Sequence, residues 1–108
     1  MPIATGFDRS YYLKDQHRFF NPTQHWKDDV ALPPVPKGTD FYATVALGDH
    51  VLECLDEHAS KFDDQPFFHY LAFAAPHFPL QALPQDIDRY RATYQSGWDS
   101  IRQGRWSR

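Results

Sequence analysis

One histidine in this sequence stands in a setting that suits chemistry. The stretch Ala74-Ala75-Pro76-His77-Phe78-Pro79-Leu80-Gln81-Ala82 puts His77 between two prolines, with small alanines on its N-terminal side. Proline fixes its own φ and pushes the residue before it toward extended backbone, so His77 is expected in a stiff loop. An imidazole held that way can donate to developing negative charge or exchange a proton with a leaving group. The competing reading is a packing histidine that hydrogen-bonds a loop carbonyl.

The other candidates offer less. His50 and His58 share a predicted helix but fall eight apart, beyond the i, i+4 spacing of a helical zinc pair. His17 and His25 lie in a proline-rich segment, where exposure is expected and nearness to a substrate pocket is the alternative. His69 sits within an apolar run and reads as a satisfied core or interface histidine. The single cysteine, Cys54, excludes an internal disulfide, and its place on an apolar helix face suggests an inert thiol. Asp28-Asp29 and Asp63-Asp64 are acidic pairs, but one lies in the proline-rich segment and the other precedes the apolar run. No metal ligand is assigned to this chain.

The elements that must position His77 follow from periodicity. Residues 1–38 carry Gly6, Pro22, Pro33, Pro34 and Pro36 among scattered aromatics, which predicts a long irregular loop. From Thr39, a candidate cap, to about Ser60, the residues Phe41, Val45, Gly48, Leu52, Leu55 and Ala59 recur at helical steps. Phe67 to Phe73 is apolar or aromatic on both alternating faces and bracketed by Pro66 and Pro76. That pattern predicts a strand covered on both sides, as in the parallel sheet of an α/β protein, with His77 leaving its carboxyl end. Pro84 suits the first turn of a helix through Ile87, Tyr90 and Tyr94, and Ser96 to Asp99 reads as a capping box opening a last helix. Residues 39–108 thus read as helix, strand, loop, helix, helix. A lone strand cannot bury both of its faces, so this stretch is expected to be part of a larger domain whose remainder covers it.

Composition narrows the function classes. The sequence has 108 residues, 42% of them hydrophobic, and a formal net charge of −3. Acids and bases are interspersed, and no cationic stripe of the kind nucleic acid requires is present. Arg102, Arg105 and Arg108, near Trp98 and Trp106, read as a solvated helix face. No apolar stretch approaches the length of about 20 residues that spans a bilayer. The opening Met-Pro-Ile-Ala-Thr-Gly has neither a basic nor an apolar signal region.

The run Pro66-Phe67-Phe68-x-Tyr70-Leu71-Ala72-Phe73, followed by Ala75-Pro76-His77-Phe78-Pro79-Leu80-Gln81-Ala82, resembles a stretch of the type I, formylglycine-dependent sulfatases. Gly6-Phe7-Asp8, Phe41-Tyr42-Ala43-Thr44 and Tyr90-x-x-x-Tyr94-x-x-Gly97-Trp98-Asp99-x-Ile101-Arg102 extend the resemblance in the family's order over nearly the whole chain. The resemblance implies an alkaline-phosphatase-like α/β fold and hydrolysis of sulfate esters. It implies a formylglycine nucleophile made from a C/S-x-P-x-R motif and a calcium ion held by carboxylates and an amide. It assigns to His77 a contact with the sulfate or the leaving oxygen. Cys54 is followed by Leu55, Asp56, Glu57 and His58, so it does not match the nucleophile motif. The family's other active-site motifs are likewise missing, so the chain is expected to be inactive in isolation. Family members are often periplasmic, secreted or lysosomal, and the compartment of this chain stays open. A phosphonate or phosphate monoester hydrolase of the same superfamily, and a non-catalytic structural fragment, remain alternatives.

Overall fold

Arg9 to Ala31 contains the sheet of the computed structural model, which describes residues 2–107. Three short strands, β1 (Tyr11–Leu13), β2 (His25–Lys27) and β3 (Val30–Ala31), form an antiparallel sheet in the order β1-β2-β3. Tyr11 pairs with Lys27, Tyr12 with Trp26 and Leu13 with His25, while Lys27 pairs with Val30 across the second hairpin. Asp28 and Asp29 make that hairpin's two-residue turn, with φ of 50° and 61°. Two consecutive left-handed residues give the twist a tight hairpin needs, and aspartate tolerates this conformation better than most residues. The segment expected to be an irregular loop therefore contains a sheet. Its strands are two or three residues long, too short to show alternation.

Asp15 organises the long β1–β2 connection. Its buried carboxylate accepts Thr23 N–H at 2.7 Å, the Thr23 hydroxyl at 2.9 Å and Gln24 N–H at 3.3 Å. Phe19, 2% exposed, and Pro22 fill the space beneath. On the outer face of the sheet Tyr12 and Trp26 stack with ring centroids 5.1 Å apart. On the inner face Tyr11 lies 5.8 Å, ring to ring, from His50 of the helix α1 (Ala43–Lys61).

Helix α1 departs from expectation at its start and in its orientation. Its N-cap is Tyr42, without a side-chain cap bond, while the Thr39 hydroxyl donates to the Pro36 carbonyl. The residues turned to the sheet are Ala43, Leu47, His50 and Cys54, not the predicted stripe. The two sets differ by two positions, about 200° around a helix of 3.6 residues per turn. Val45 and Leu52 of the predicted stripe are 52% and 60% exposed. What grips the sheet side is charge. Arg9 Nε donates to Asp28 at 3.1 Å, and its terminal nitrogens reach Glu53 at 3.1 Å and also Glu57. Lys27 Nζ binds the same Glu53 at 2.6 Å.

The strand expected over Phe67 to Phe73 is not present. The run is without regular secondary structure, pairs with no other segment among the described residues, and leaves Phe68 78% exposed. A strand exists only through its neighbours' hydrogen bonds, and the described residues supply none here. Helices α2 (Pro84–Gln95) and α3 (Trp98–Trp106) follow. Pro84 occupies the first turn of α2 as expected. The expected capping box does not form, because Ser96 Oγ donates to Thr93 O and Gly97, at φ 84°, is the N-cap of α3. The radius of gyration is 18.0 Å, against about 13 Å for a compact domain of this length. The described residues thus form a small mixed arrangement of three α-helices, a 3-10 turn at Ile3–Thr5 and one antiparallel sheet, not a segment built on one buried strand.

Two expectations follow. The purified chain self-associates and enhances the fluorescence of an apolar dye, and Phe68→Ser with Leu71→Ser reduces both without changing the helical circular dichroism; a monomeric, dye-silent wild type contradicts this. Burial works against ionisation of Asp15 and Asp28, yet the hydrogen bonds from Thr23 and Gln24 to Asp15, and from Ser10 and Arg9 to Asp28, win and hold both carboxyls below their ordinary values. A depressed folded-state value contributes stability that is present above the unfolded value and lost as pH falls through the folded one. Amide protection across β1 and β2 therefore holds at pH 6 and erodes below about pH 4; protection independent of pH down to about 3 counts against it.

Candidate functional site

The His77 loop is shaped by its own backbone. His77 N–H donates to Ala74 O at 2.9 Å, closing a turn, and the ring's Nδ1 lies 2.6 Å from Phe78 O. A carbonyl can only accept, so Nδ1 carries the proton and Nε2 is left for an external partner. When the ring is neutral Nε2 accepts, and when it is charged Nε2–H donates. His77, Phe78 and Leu80 are exposed. The local bond of the packing-histidine reading is thus present, and it leaves the other ring nitrogen facing outward.

The loop is tied to the β1–β2 connection by one side chain that the sequence reading did not single out. Gln81 Oε1 accepts Phe19 N–H at 3.2 Å, and Gln81 Nε2 donates to His17 O at 2.7 Å. Phe19 O in turn accepts Ala43 N–H at 2.7 Å, at the start of α1. The sequence carried no local signal for this role, since a glutamine amide can pair with any donor or acceptor and its partners here are remote in sequence.

The remaining candidates are occupied or isolated. His25, expected to be exposed, is buried at 5% and bridges Tyr11 OH at 3.1 Å and Pro33 O at 2.8 Å. Its aromatic neighbours Tyr11 and Phe41 enclose it, and burial pushes the Tyr11 hydroxyl up. His17 is exposed, and His58 packs on Phe67 at 4.9 Å between centroids. His69 is half-buried. Cys54 Sγ lies 3.5 Å from His50 Nε2, but burial pushes the thiol up and the imidazole down, which opposes a thiolate–imidazolium pair. Asp28 is taken by Arg9 and Ser10, and Asp63-Asp64 lie exposed in a turn. Among the described residues no group of three potential ligands could hold a metal ion. No helix of the described residues is long and apolar enough to cross a membrane. Two grooves lie along α2 and α3, lined by Tyr90, Tyr94, Trp98 and Ile101, and His77 lines neither.

No protein-family model matches the chain. Curated proteins similar to it include an uncharacterized sulfatase of Schizosaccharomyces pombe, 41% identical over 66 residues, which is 61% of this chain and 11% of the relative. An arylsulfatase of Klebsiella aerogenes is 30% identical over 99 residues, 92% of this chain and 17% of that relative. The chain therefore spans less than a fifth of the length of these relatives, and its similarity to sulfatases runs through most of its own length.

The two histidines with carbonyl partners should be opposite tautomers. At neutral to alkaline pH, long-range ¹H–¹⁵N spectra are expected to show the proton on Nδ1 of His77 and on Nε2 of His25. The reverse pattern at either ring contradicts the hydrogen bonds assigned above.

Proposed function

We propose that this chain is a segment of the catalytic domain of a formylglycine-dependent sulfatase with an alkaline-phosphatase-like fold, and that His77 contacts the sulfate ester. The observation that carries this reading is the His77 loop, where the Phe78 carbonyl pins Nδ1 and leaves Nε2 open, in a chain similar to sulfatases. A protonated imidazole in that pose offers one donor to a sulfate oxygen, or one proton to the leaving alcohol. The stiff turn between Pro76 and Pro79 orients the ring before substrate arrives, so little ordering is required on binding.

The nucleophile and calcium of such an enzyme do not fit the residues present. Cys54 lacks the C/S-x-P-x-R surroundings and packs against His50, and the described acidic pairs are engaged or isolated. Both groups, and the walls of the substrate site, belong to the remainder of the domain. The exposed run Phe67 to Phe73 and the open apolar side of α1 are where that remainder would pack.

In the complete protein, His77→Ala is expected to lower sulfate-ester turnover by roughly 10²–10³ if the ring stabilises developing charge, and by roughly 10²–10⁴ if it acts as the acid. An acid role predicts a smaller loss for esters of acidic phenols, and a sulfate-binding role predicts equal losses that appear partly in KM. His69→Ala serves as the control, with its effect on stability. Near-normal turnover by a folded His77→Ala enzyme removes His77 from the site. Preferential turnover of phosphate or phosphonate monoesters by the wild type overturns the substrate class.

A further inference from the structure

We infer that Gln81 is a positioning residue, whose side-chain amide fixes the His77 loop against the buried backbone of Phe19 and so sets where the imidazole meets its substrate. The catalytic part of this inference rests on the sulfatase reading, and the positional part stands on the hydrogen bonds alone. Both ends of the amide are used. Oε1 accepts Phe19 N–H at 3.2 Å, while Nε2 donates to His17 O at 2.7 Å and lies 3.4 Å from Pro79 O within its own loop. Phe19 is a firm anchor, being 2% exposed and bonded through its carbonyl to Ala43 N–H at 2.7 Å.

The connection from anchor to imidazole is short and stiff. Gln81 grips Pro79, Pro79 follows Phe78, and Phe78 O holds His77 Nδ1 at 2.6 Å. Prolines at 76 and 79 remove backbone freedom on both sides of the ring, so a displacement at Gln81 is passed along the loop rather than absorbed. These two bonds join the loop to the β1–β2 connection, which the Phe19 carbonyl ties in turn to the start of α1. The amide is also chemically specific. Glutamate keeps the acceptor for Phe19 and loses the donor for His17, leucine loses both, and asparagine keeps both on a stem one carbon shorter.

The test is a double-mutant cycle in the complete protein, assayed with phenyl sulfate, whose weakly acidic leaving group keeps either role of His77 visible. Gln81→Leu is expected to lower kcat about 10- to 100-fold with His77 present, since small misplacements of an oriented group have effects of that size. In the His77→Ala background the same change is expected to cost less than about threefold, because its effect runs through the missing ring. Equal losses in both backgrounds, or no loss with His77 present, overturn the inference. Hydrogen exchange supplies a readout that needs no turnover. In Gln81→Leu the amides of Phe19 and His77 are expected to exchange about tenfold faster, with the α1 amides from Leu47 to Leu55 unchanged. If Gln81→Leu does not fold, Gln81→Glu decides, by keeping Phe19 protected while His77 loosens. Unchanged exchange at both amides in Gln81→Leu, or at His77 in Gln81→Glu, overturns the inference. A wild type that turns over no sulfate ester overturns the sulfatase reading alone.

Discussion

The guanidinium of Arg9 meets Asp28 from the β2–β3 turn and Glu53 and Glu57 from α1, joining the sheet to the helix through one planar group. The hydrogen bond that Arg9 donates to Asp28, reinforced by the one to Glu53 and working against partial burial, holds Arg9 firmly in its charged form. Lys27 adds a second cation on Glu53, and these two bases hold that carboxyl below its ordinary range. Much else follows from this attachment. It holds against the sheet the side of α1 on which His50 meets Tyr11, while the helix start is held separately by Ala43 N–H on Phe19 O. Individual surface ion pairs contribute little, but a network around one arginine restricts geometry more than its free energy suggests.

The sequence made some of this legible and concealed the rest for physical reasons. Helices over Ala43–Lys61 and Pro84–Gln95 were visible because periodicity and an N-terminal proline are local signals. The orientation of α1 was not, since apolar periodicity identifies the side that seeks burial, and among the described residues Val45 and Leu52 of that side stay uncovered. The sheet escaped notice because Tyr11–Leu13 and Val30–Ala31 are too short to alternate, and because Asp28-Asp29 was read as an acidic pair within a loop instead of a hairpin turn. His25 was misplaced for the same reason, for it is the hairpin that buries it. The run from Phe67 to Phe73 carries the composition of a covered strand, and composition states a demand for neighbours without supplying them.

The candidate site shows the same division. Two prolines made the stiffness around His77 readable, and the ring's local carbonyl bond is a short-range consequence of that turn. The role of Gln81 depends on partners more than sixty positions away in sequence, which no local pattern could announce. A functional loop can thus be recognised from its punctuation while the contact that aims it stays hidden.

Helix α1 is held to its sheet by charge on one side and offers Val45 and Leu52 on the other. The two sides respond oppositely to electrolyte. Salt shortens the reach of the carboxylates toward Arg9 and Lys27, whereas excluded anions such as sulfate strengthen apolar association. A single helix therefore sits between two joints with opposing ionic responses, so that concentrated sulfate loosens its hold on the hairpin while tightening whatever rests on its apolar back.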